Sequence, residues 1–362
     1  MGVWAPAAAG VSAATPSRQT STRTVRRRGP MSIVSERGAA PAIARSGVPR
    51  PRYIGAVPAS PLVTVVIPTR NRWELLSKHG LASALGQEDV ELEVVVVDDA
   101  STDGTGERLA ELGNERVRVV LHPEQRGLAQ GRNTGLAEAR GEWVAFLDDD
   151  DVWSPRKLRS QLDAAEARNA VWAYATMLVL DNRANVIETL PAPNPDEVGS
   201  LLRQRNALPA GGSAVIARTD VARAAGGFDT ELNELADWDF WLRLAAAGSA
   251  AAATEPLVGY FRHPQQMRLT EESNVEAEFA HLAAKHGFEG QDLHFSRWVA
   301  MGHLRAGRAA KAAGIYLRAG IAHRSPGNIA RAAAALLGER AFAFRRRLLA
   351  ERVEPAWLEL YR

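Results

Sequence analysis

The 362-residue chain contains no cysteine. Disulfides and thiolate metal sites are therefore excluded, and cysteine usage leaves the compartment open. It has no run of about 18 apolar residues, the length a membrane-spanning helix needs. The first 60 residues lack hydrophobic periodicity and are rich in Ala, Pro, Ser and Arg, which predicts a disordered basic N-terminal extension over 1–60. They also lack the apolar core of a signal peptide, and Met31 offers an alternative start. Basic arms can bind nucleic acid, but no aromatics interleave with these arginines as a binding surface would require. A nucleic-acid partner is not expected.

The net charge of +2 conceals a segregation. Residues 1–52 carry +8, residues 301–362 carry +8, and the middle of the chain therefore carries about −14. A chain of this length can bury a sizeable core, with one main domain and appendages.

The acidic middle has a focus. Four consecutive aspartates, Asp148 to Asp151, follow the apolar run Trp143 to Leu147. That run reads as a buried strand. Adjacent carboxylates repel, and at least one is forced toward protonation unless a cation sits among them. A hard divalent ion such as Mg²⁺ or Mn²⁺ relieves the repulsion through oxygen ligands. A solvated acidic loop or a helix cap is the plain alternative, but the pattern recurs upstream. Leu92 to Val97 ends in Asp98 and Asp99, then in turn residues before a helix through Glu107 to Leu112. Ser101, Thr102 or Asp103 is placed to cap that helix. Leu62 to Ile67 ends in Pro68 to Arg72, and Arg116 to Leu121 ends in a loop before a helix over about Ala129 to Ala139. Apolar strands alternating with helices predict a parallel sheet covered on both faces. Ligands of such sheets bind beyond the carboxyl ends of the strands, where the polar clusters fall.

Six segments in this order resemble the family 2 glycosyltransferases of the GT-A fold: Val65 to Arg72 (VVIPTRNR), Val97 to Thr105 (VDDASTDGT), Arg126 to Gly135 (RGLAQGRNTG), Gly141 to Trp153 (GEWVAFLDDDDVW), Gly226 to Asp229 (GGFD) and Asp237 to Arg243 (DWDFWLR). The resemblance covers about Leu62 to His263. It implies an α/β, Rossmann-like GT-A domain over 61–268, with a mostly parallel central sheet between helices. A C-terminal helical region over 269–362 completes the expected chain.

The resemblance also implies roles. Pro68, Thr69, Asn71 and Arg72 form a nucleotide-contacting loop. Asp99 accepts from the base, which suits the N3–H of uracil or thymine because a carboxylate only accepts. Arg126 and Arg132 lie near the nucleotide and diphosphate. Asp148 and Asp150 form an Asp-x-Asp pattern with Asp150 as metal ligand, Asp148 or Asp149 on the ribose, and His263 in reach of the metal or diphosphate; the ion is Mn²⁺ or Mg²⁺. Asp237 is the base that deprotonates the acceptor hydroxyl. The family places a Glu before that Asp; this chain has Ala236. Asp239 reads as structural or capping. Gly211, Gly212 and Trp238 fall on the acceptor side, with a plain turn and a core position as their alternatives.

The expected reaction is inverting transfer of a sugar from a UDP- or dTDP-linked donor to a saccharide or lipid-linked acceptor in cell-surface glycan synthesis. The alternatives are an inactive member that binds sugar nucleotide or glycan, and a nucleotidyltransferase. Pro68 to Arg72 lacks the glycines the latter requires. The expected location is cytoplasmic. Arg297 to Ala322 and Pro326 to Leu349 carry apolar stripes opposite Arg and Lys. Leu337 to Arg352, with Phe342, Phe344 and Arg345 to Arg347, suit peripheral attachment to the anionic inner face of the cell membrane. Packing of these helices against the catalytic domain is the preferred alternative.

Overall fold

The computed structural model describes residues 53–54, 63–208, 211–262, 274–287, 293–338, 341–342 and 354–362, all within the unit Pro49–Arg362. The N-terminal stretch expected to be disordered lies outside them, except Tyr53–Ile54. These two residues form strand β1.

The first half alternates as its apolar runs require. β2 (Val63–Thr69), β3 (Leu92–Asp98), β4 (Val117–Leu121) and β5 (Trp143–Phe146) are joined through α1 (Trp73–Lys78), α2 (Gly80–Leu85), α3 (Thr105–Glu111) and α4 (Leu128–Glu138). These strands run parallel in the order β4-β3-β2-β5, and β2 and β3 are buried at every position. Both faces are therefore covered, which is why the strands read as continuous apolar runs rather than alternating ones.

The second half is mixed. β6 (Asp151–Trp153), α5 (Lys157–Arg168), β7 (Trp172–Leu180), β8 (Val186–Leu190) and α6 (Val198–Leu202) lead to a 3₁₀ turn at Gly211–Ala214. Then come β9 (Val215–Arg218), α7 (Thr219–Ala224), α8 (Ala236–Ala247) and β10 (Ala250–Phe261). β9 is antiparallel to β5 and β7, β10 is parallel to β7, and β6 is antiparallel to β10. The sheet order is β1-β4-β3-β2-β5-β9-β7-β10-β6, with β8 beside β7.

This order forces a curl. β5 and β6 are four strand spacings apart, about 19 Å in a flat sheet. Phe146 and Asp151 are five residues apart, a reach of at most about 18 Å when fully extended. The link is a turn, with Asp151 N donating to Asp148 O at 3.2 Å, so the sheet edge must bend back toward β5. The aspartate run sits on that link, at the mouth of the curl.

One core lies between the sheet and α4, α8 and the tail helices α9 (Val275–His286), α10 (Leu293–Arg305), α11 (Ala309–Ala322) and α12 (Pro326–Leu336). A second lies on the opposite face with α1, α2, α3 and α5. The described tail helices share this core with the sheet, while most of 337–352 lies outside the described residues. The stretch 297–322 falls in α10 and α11, separated by a turn with Gly307 at φ +77°. A C-terminal 3₁₀ helix, Ala356–Tyr361, seats Leu358 against Val152, Leu178 and Phe261.

Candidate active site

The carboxyl ends of β2 to β5 supply four loops to one cleft. Asn71 and Ala100 both adopt left-handed backbone, φ +55° and +60°, a conformation that costs a non-glycine residue energy and clusters where geometry is functional. The two strained loops are tied together: Asn71 N donates to Ser101 Oγ at 2.8 Å, and Thr102 N donates to Asn71 Oδ1 at 2.7 Å. Asp103 accepts from Thr105 N at 3.0 Å at the start of α3, so of the three candidate caps it is Asp103 that engages the helix start.

Asp99 is buried and organises the loop after β4. Its Oδ1 accepts from Arg126 N at 2.8 Å and lies 2.7 Å from His122 Nδ1; its Oδ2 accepts from Gly127 N at 2.8 Å. A carboxylate has about four acceptor positions, so three are used and one on Oδ2 remains. Arg126 enters through its backbone; its side chain is exposed. His122, not singled out from the sequence, is pinned on its other nitrogen by Thr134 Oγ1 at 2.9 Å. Its place directly after β4 was the available signal.

The aspartates of the run have four different environments. Asp148 pairs with Arg132, Nη2 to Oδ1 at 2.5 Å, and its amide donates to Ser213 Oγ at 3.1 Å. Asp149 accepts from Thr69 Oγ1 at 2.7 Å and from Arg72 Nη1 at 3.1 Å, and the same Arg72 atom lies 3.1 Å from Asp150 Oδ2. Burial, then the neighbouring Asp150 charge, push Asp149 up to about 7. Asp151, at the start of β6, is buried, and burial with the Asp150 and Asp148 charges drives its carboxyl well up against a lowering contribution from Ser213. Tyr260, paired with Asp151 across β10, has its hydroxyl pushed up by burial and the same carboxylates. This surplus of negative charge among hard oxygen donors fits a divalent cation.

Arg132 connects this run to the opposite wall. It lies on α4 but is buried, not on the surface, with its guanidinium 5.1 Å over the Phe228 ring. Asn133 beside it grips the following turn: its Nδ2 donates to Phe228 O and its Oδ1 accepts from Phe228 N, both at 2.7 Å.

Asp237 opens α8. Trp238 N donates to its Oδ1 at 2.7 Å, and Asn206 Nδ2 lies 3.4 Å from both oxygens. Burial raises its pKa and the Arg132 guanidinium opposes the rise. A Cβ on Gly211 would stand 3.3 Å from Asp237 Oδ2, and one on Gly212 would stand 3.1 Å from Arg132 Nη2. Both glycines therefore line the cleft between Asp237 and the aspartate run.

One expected site residue lies elsewhere. Trp238 belongs to the core, not the acceptor side: its Nε1 donates to Leu202 O at 2.6 Å and its ring packs 5.9 Å from Phe279. Trp153 is likewise core, donating to Ser213 O at 2.8 Å. His263 lies outside the described residues. Asp239 is structural, as expected: it is buried and bound by Arg243, by Lys285 Nζ at 3.0 Å and by His286 Nε2 at 2.8 Å. A second acidic group, Asp229, Glu231 and His281, brings one ligand atom from each within 4.8 Å. There Lys285 Nζ already donates to Asp229 Oδ2 at 2.6 Å, so an ammonium supplies the positive charge.

Residues 64–219 match the model of glycosyl transferase family 2. The chain is 39% identical over 131 residues to the succinoglycan biosynthesis protein ExoO of Rhizobium meliloti, covering 36% of this chain and 37% of that one. It is 30% identical over 142 residues to the UDP-Glc:alpha-D-GlcNAc-diphosphoundecaprenol beta-1,3-glucosyltransferase WfgD of Escherichia coli, covering 39% and 55%. The chain thus spans about a third to a half of the length of these relatives. Among solved structures, TarS 1–349 of S. aureus in complex with UDP-GlcNAc superposes with a TM-score of 0.53 at 18% identity, over 78% of this chain and 83% of that one. This likeness shows the fold, with its curled mixed sheet. Residues 64–219 thus carry the match to glycosyl transferase family 2, on a fold similar to that of GT-A glycosyltransferase structures.

Proposed function

We propose that the chain is an inverting glycosyltransferase that moves a sugar from a uridine or thymidine diphospho-sugar to a hydroxyl of a saccharide or lipid-linked acceptor. The observation that carries this reading is the wall formed by Asp237, Gly211 and Arg132 opposite the aspartate run. A carboxylate with a raised pKa, its Oδ2 turned toward a glycine rather than a side chain, stands near Arg132, which pairs with an aspartate run that suits a cation and a diphosphate.

In this reading the remaining acceptor position on Asp99 Oδ2 takes the N3–H of the base, and the loop Pro68 to Arg72 lies along the nucleotide. Asp150 and Asp148 would hold Mn²⁺ or Mg²⁺, which neutralises the leaving diphosphate. The acceptor oxygen attacks the anomeric carbon and its proton passes to Asp237. The bond from that carbon to the diphosphate oxygen breaks, and its electron pair leaves with the diphosphate. Raising the carboxylate pKa makes it a stronger base near neutral pH.

The similarity to WfgD, named for a UDP-Glc donor and a diphosphoundecaprenol acceptor, supports a uridine donor and a lipid-linked acceptor, and with them a role in cell-surface glycan synthesis. No described helix is long and apolar enough to cross a membrane. Peripheral attachment is proposed through α11 and α12, where Leu317, Ile321, Ile329 and Leu336 are exposed alongside Arg318, Arg324 and Arg331. Arg345 to Arg347, singled out from the sequence for this role, lie outside the described residues.

The test is binding and turnover of a panel of nucleotide sugars, with Mn²⁺, Mg²⁺ or chelator, on wild type and Asp237→Asn. Metal-dependent turnover of one donor, lost in the variant while donor binding persists, is the expected result. A folded protein that binds no nucleotide sugar in the presence of metal would overturn the proposal.

A further inference from the structure

The N-terminus of α8 carries no cap of its own. Its N-cap residue, Leu235, has an apolar side chain and makes no cap bond; Asp237 Oδ1 serves the Trp238 amide within the first turn, not those of Glu234 and Leu235. The first amides of a helix need acceptors, and a carboxylate there also meets the positive end of the helix dipole. The acceptor arrives from the tail. Glu278 Oε2 of α9 accepts from Glu234 N at 2.9 Å and from Leu235 N at 3.0 Å. Asp237 stands two residues beyond Leu235.

The grip extends past Asp237 on the same helix pair. Phe279 packs on Trp238. Lys285 and His286 hold Asp239 at 3.0 and 2.8 Å, and Lys285 also holds Asp229 at 2.6 Å. Glu278, Phe279, Leu282, Lys285 and His286 fall at helical spacing on one face of α9. That single face fixes residues 234, 235, 238 and 239, on both sides of 237, while the Asp237 carboxylate itself is left facing Gly211.

We propose that α9 is a splint for the base, with Glu278 as the positioning residue that sets the backbone from which Asp237 reaches the acceptor. This rests on the reading of Asp237 as base. The tail then serves the reaction directly, since without α9 the amides of Glu234 and Leu235 would lose this acceptor.

The experiment uses the full chain, with UDP-glucose and the other panel sugars as donors and UDP release as the readout. In Glu278→Ala, kcat is expected to fall on the order of tenfold to a hundredfold, as for a small misplacement of a reacting group, with donor KM within about twofold. Glu278→Gln, which keeps an acceptor oxygen, is expected to recover most of that loss. In an Asp237→Asn background, Glu278→Ala is expected to cause no further loss, because groups acting as a unit are non-additive. Hydrogen exchange supplies a readout independent of turnover: the amides of 234–239 should lose protection in Glu278→Ala while those of 143–147 keep theirs.

A wild-type kcat in Glu278→Ala, with Asp237→Asn inactive, would overturn the splint and leave the base reading standing. So would unchanged exchange at 234–239, or a kcat loss matched by a rise in donor KM and not rescued by Gln. A wild-type kcat in Asp237→Asn would overturn the base reading, and the splint with it.

Discussion

Gly211 faces Asp237 so closely that a Cβ at residue 211 would stand 3.3 Å from Oδ2 of the carboxylate. Gly211 also has φ +48°, which a side chain tolerates poorly. Gly211→Ala should therefore intrude on the acceptor side while leaving the nucleotide loops alone. Kinetics are expected to show kcat lowered about tenfold or more with acceptor KM raised, since uniform and transition-state interactions are both disturbed there. Donor affinity measured by calorimetry should stay within about twofold. A variant with wild-type acceptor kinetics would remove Gly211 from the site.

Arg132 ties the two walls of the cleft. Replacing it with Met breaks its partly buried ion pair with Asp148 and removes the cation that opposes the rise of the Asp237 pKa. The stability cost is about 1–3 kcal/mol, since Asp148 keeps some access to water. The kinetic expectation has a sign. Without the cation the Asp237 carboxyl is pushed further up, so its deprotonated form appears only at higher pH. The acidic limb of the kcat profile should then move to higher pH. An unmoved limb would show that Arg132 does not act on the base.

The strands that build the cleft were readable in the sequence because each is buried on both faces and so is apolar throughout. The loops after β2, β3 and β5 were readable for the same reason: a polar cluster directly after such a strand has one place to go. The curl that brings β6 back toward β5 was not readable, since antiparallel pairing of β5 with β9 joins residues 71 to 75 positions apart. Nor was the inward aim of Arg132, which a helix with scattered apolar positions gives no reason to expect. Of the two places the sequence left for Trp238, acceptor side or core, the structure has the core, because an aromatic beside Asp237 looks the same in sequence in either setting. Glu278 left no local signal at all, its partners being backbone amides 43 and 44 residues away.

The aspartate run predicts a pH response of the metal-free protein. Asp149 is pushed up to about 7 in the fold against an ordinary value near 3.8, so the folded state binds its proton more tightly than the unfolded state. Stability from this group is complete below about pH 4 and is lost as pH rises through about 7. Asp151 and Asp237 shift in the same direction. In chelator, Tm is expected to fall between pH 5.5 and 8, and saturating Mn²⁺ should flatten the slope by favouring the ionised run. Asp229 does not interfere. Burial pushes it up, but Lys285 more than offsets this and leaves it at about 2; its stability is lost only as pH falls from about 4 toward 2. A Tm that rises from pH 5.5 to 8 in chelator would contradict the expectation.

Asp99→Asn tests the reading of the base pocket. An amide nitrogen would replace one carboxylate oxygen, and a donor would then face the amide of Arg126 or Gly127. An unmade buried hydrogen bond of this kind costs about 1–3 kcal/mol. The loop before α4 should loosen, and UDP affinity is expected to fall about tenfold or more, since 1.4 kcal/mol corresponds to tenfold. Titration calorimetry with UDP reads this directly. Unchanged UDP affinity in the folded variant would exclude Asp99 from nucleotide binding.

Trp238 separates a core role from a sugar contact. Phe at this position keeps the aromatic packing against Phe279 but removes the donor that now satisfies Leu202 O at 2.6 Å. The buried carbonyl is left without that partner, and the smaller ring leaves unfilled volume, so a stability loss of about 1–3 kcal/mol is expected. Acceptor KM and kcat should stay within about twofold, because the ring faces α6 and α9 rather than Gly211. Thermal unfolding and acceptor kinetics on Trp238→Phe decide the matter together. A stable variant with a strongly raised acceptor KM would move Trp238 from the core back to the acceptor side.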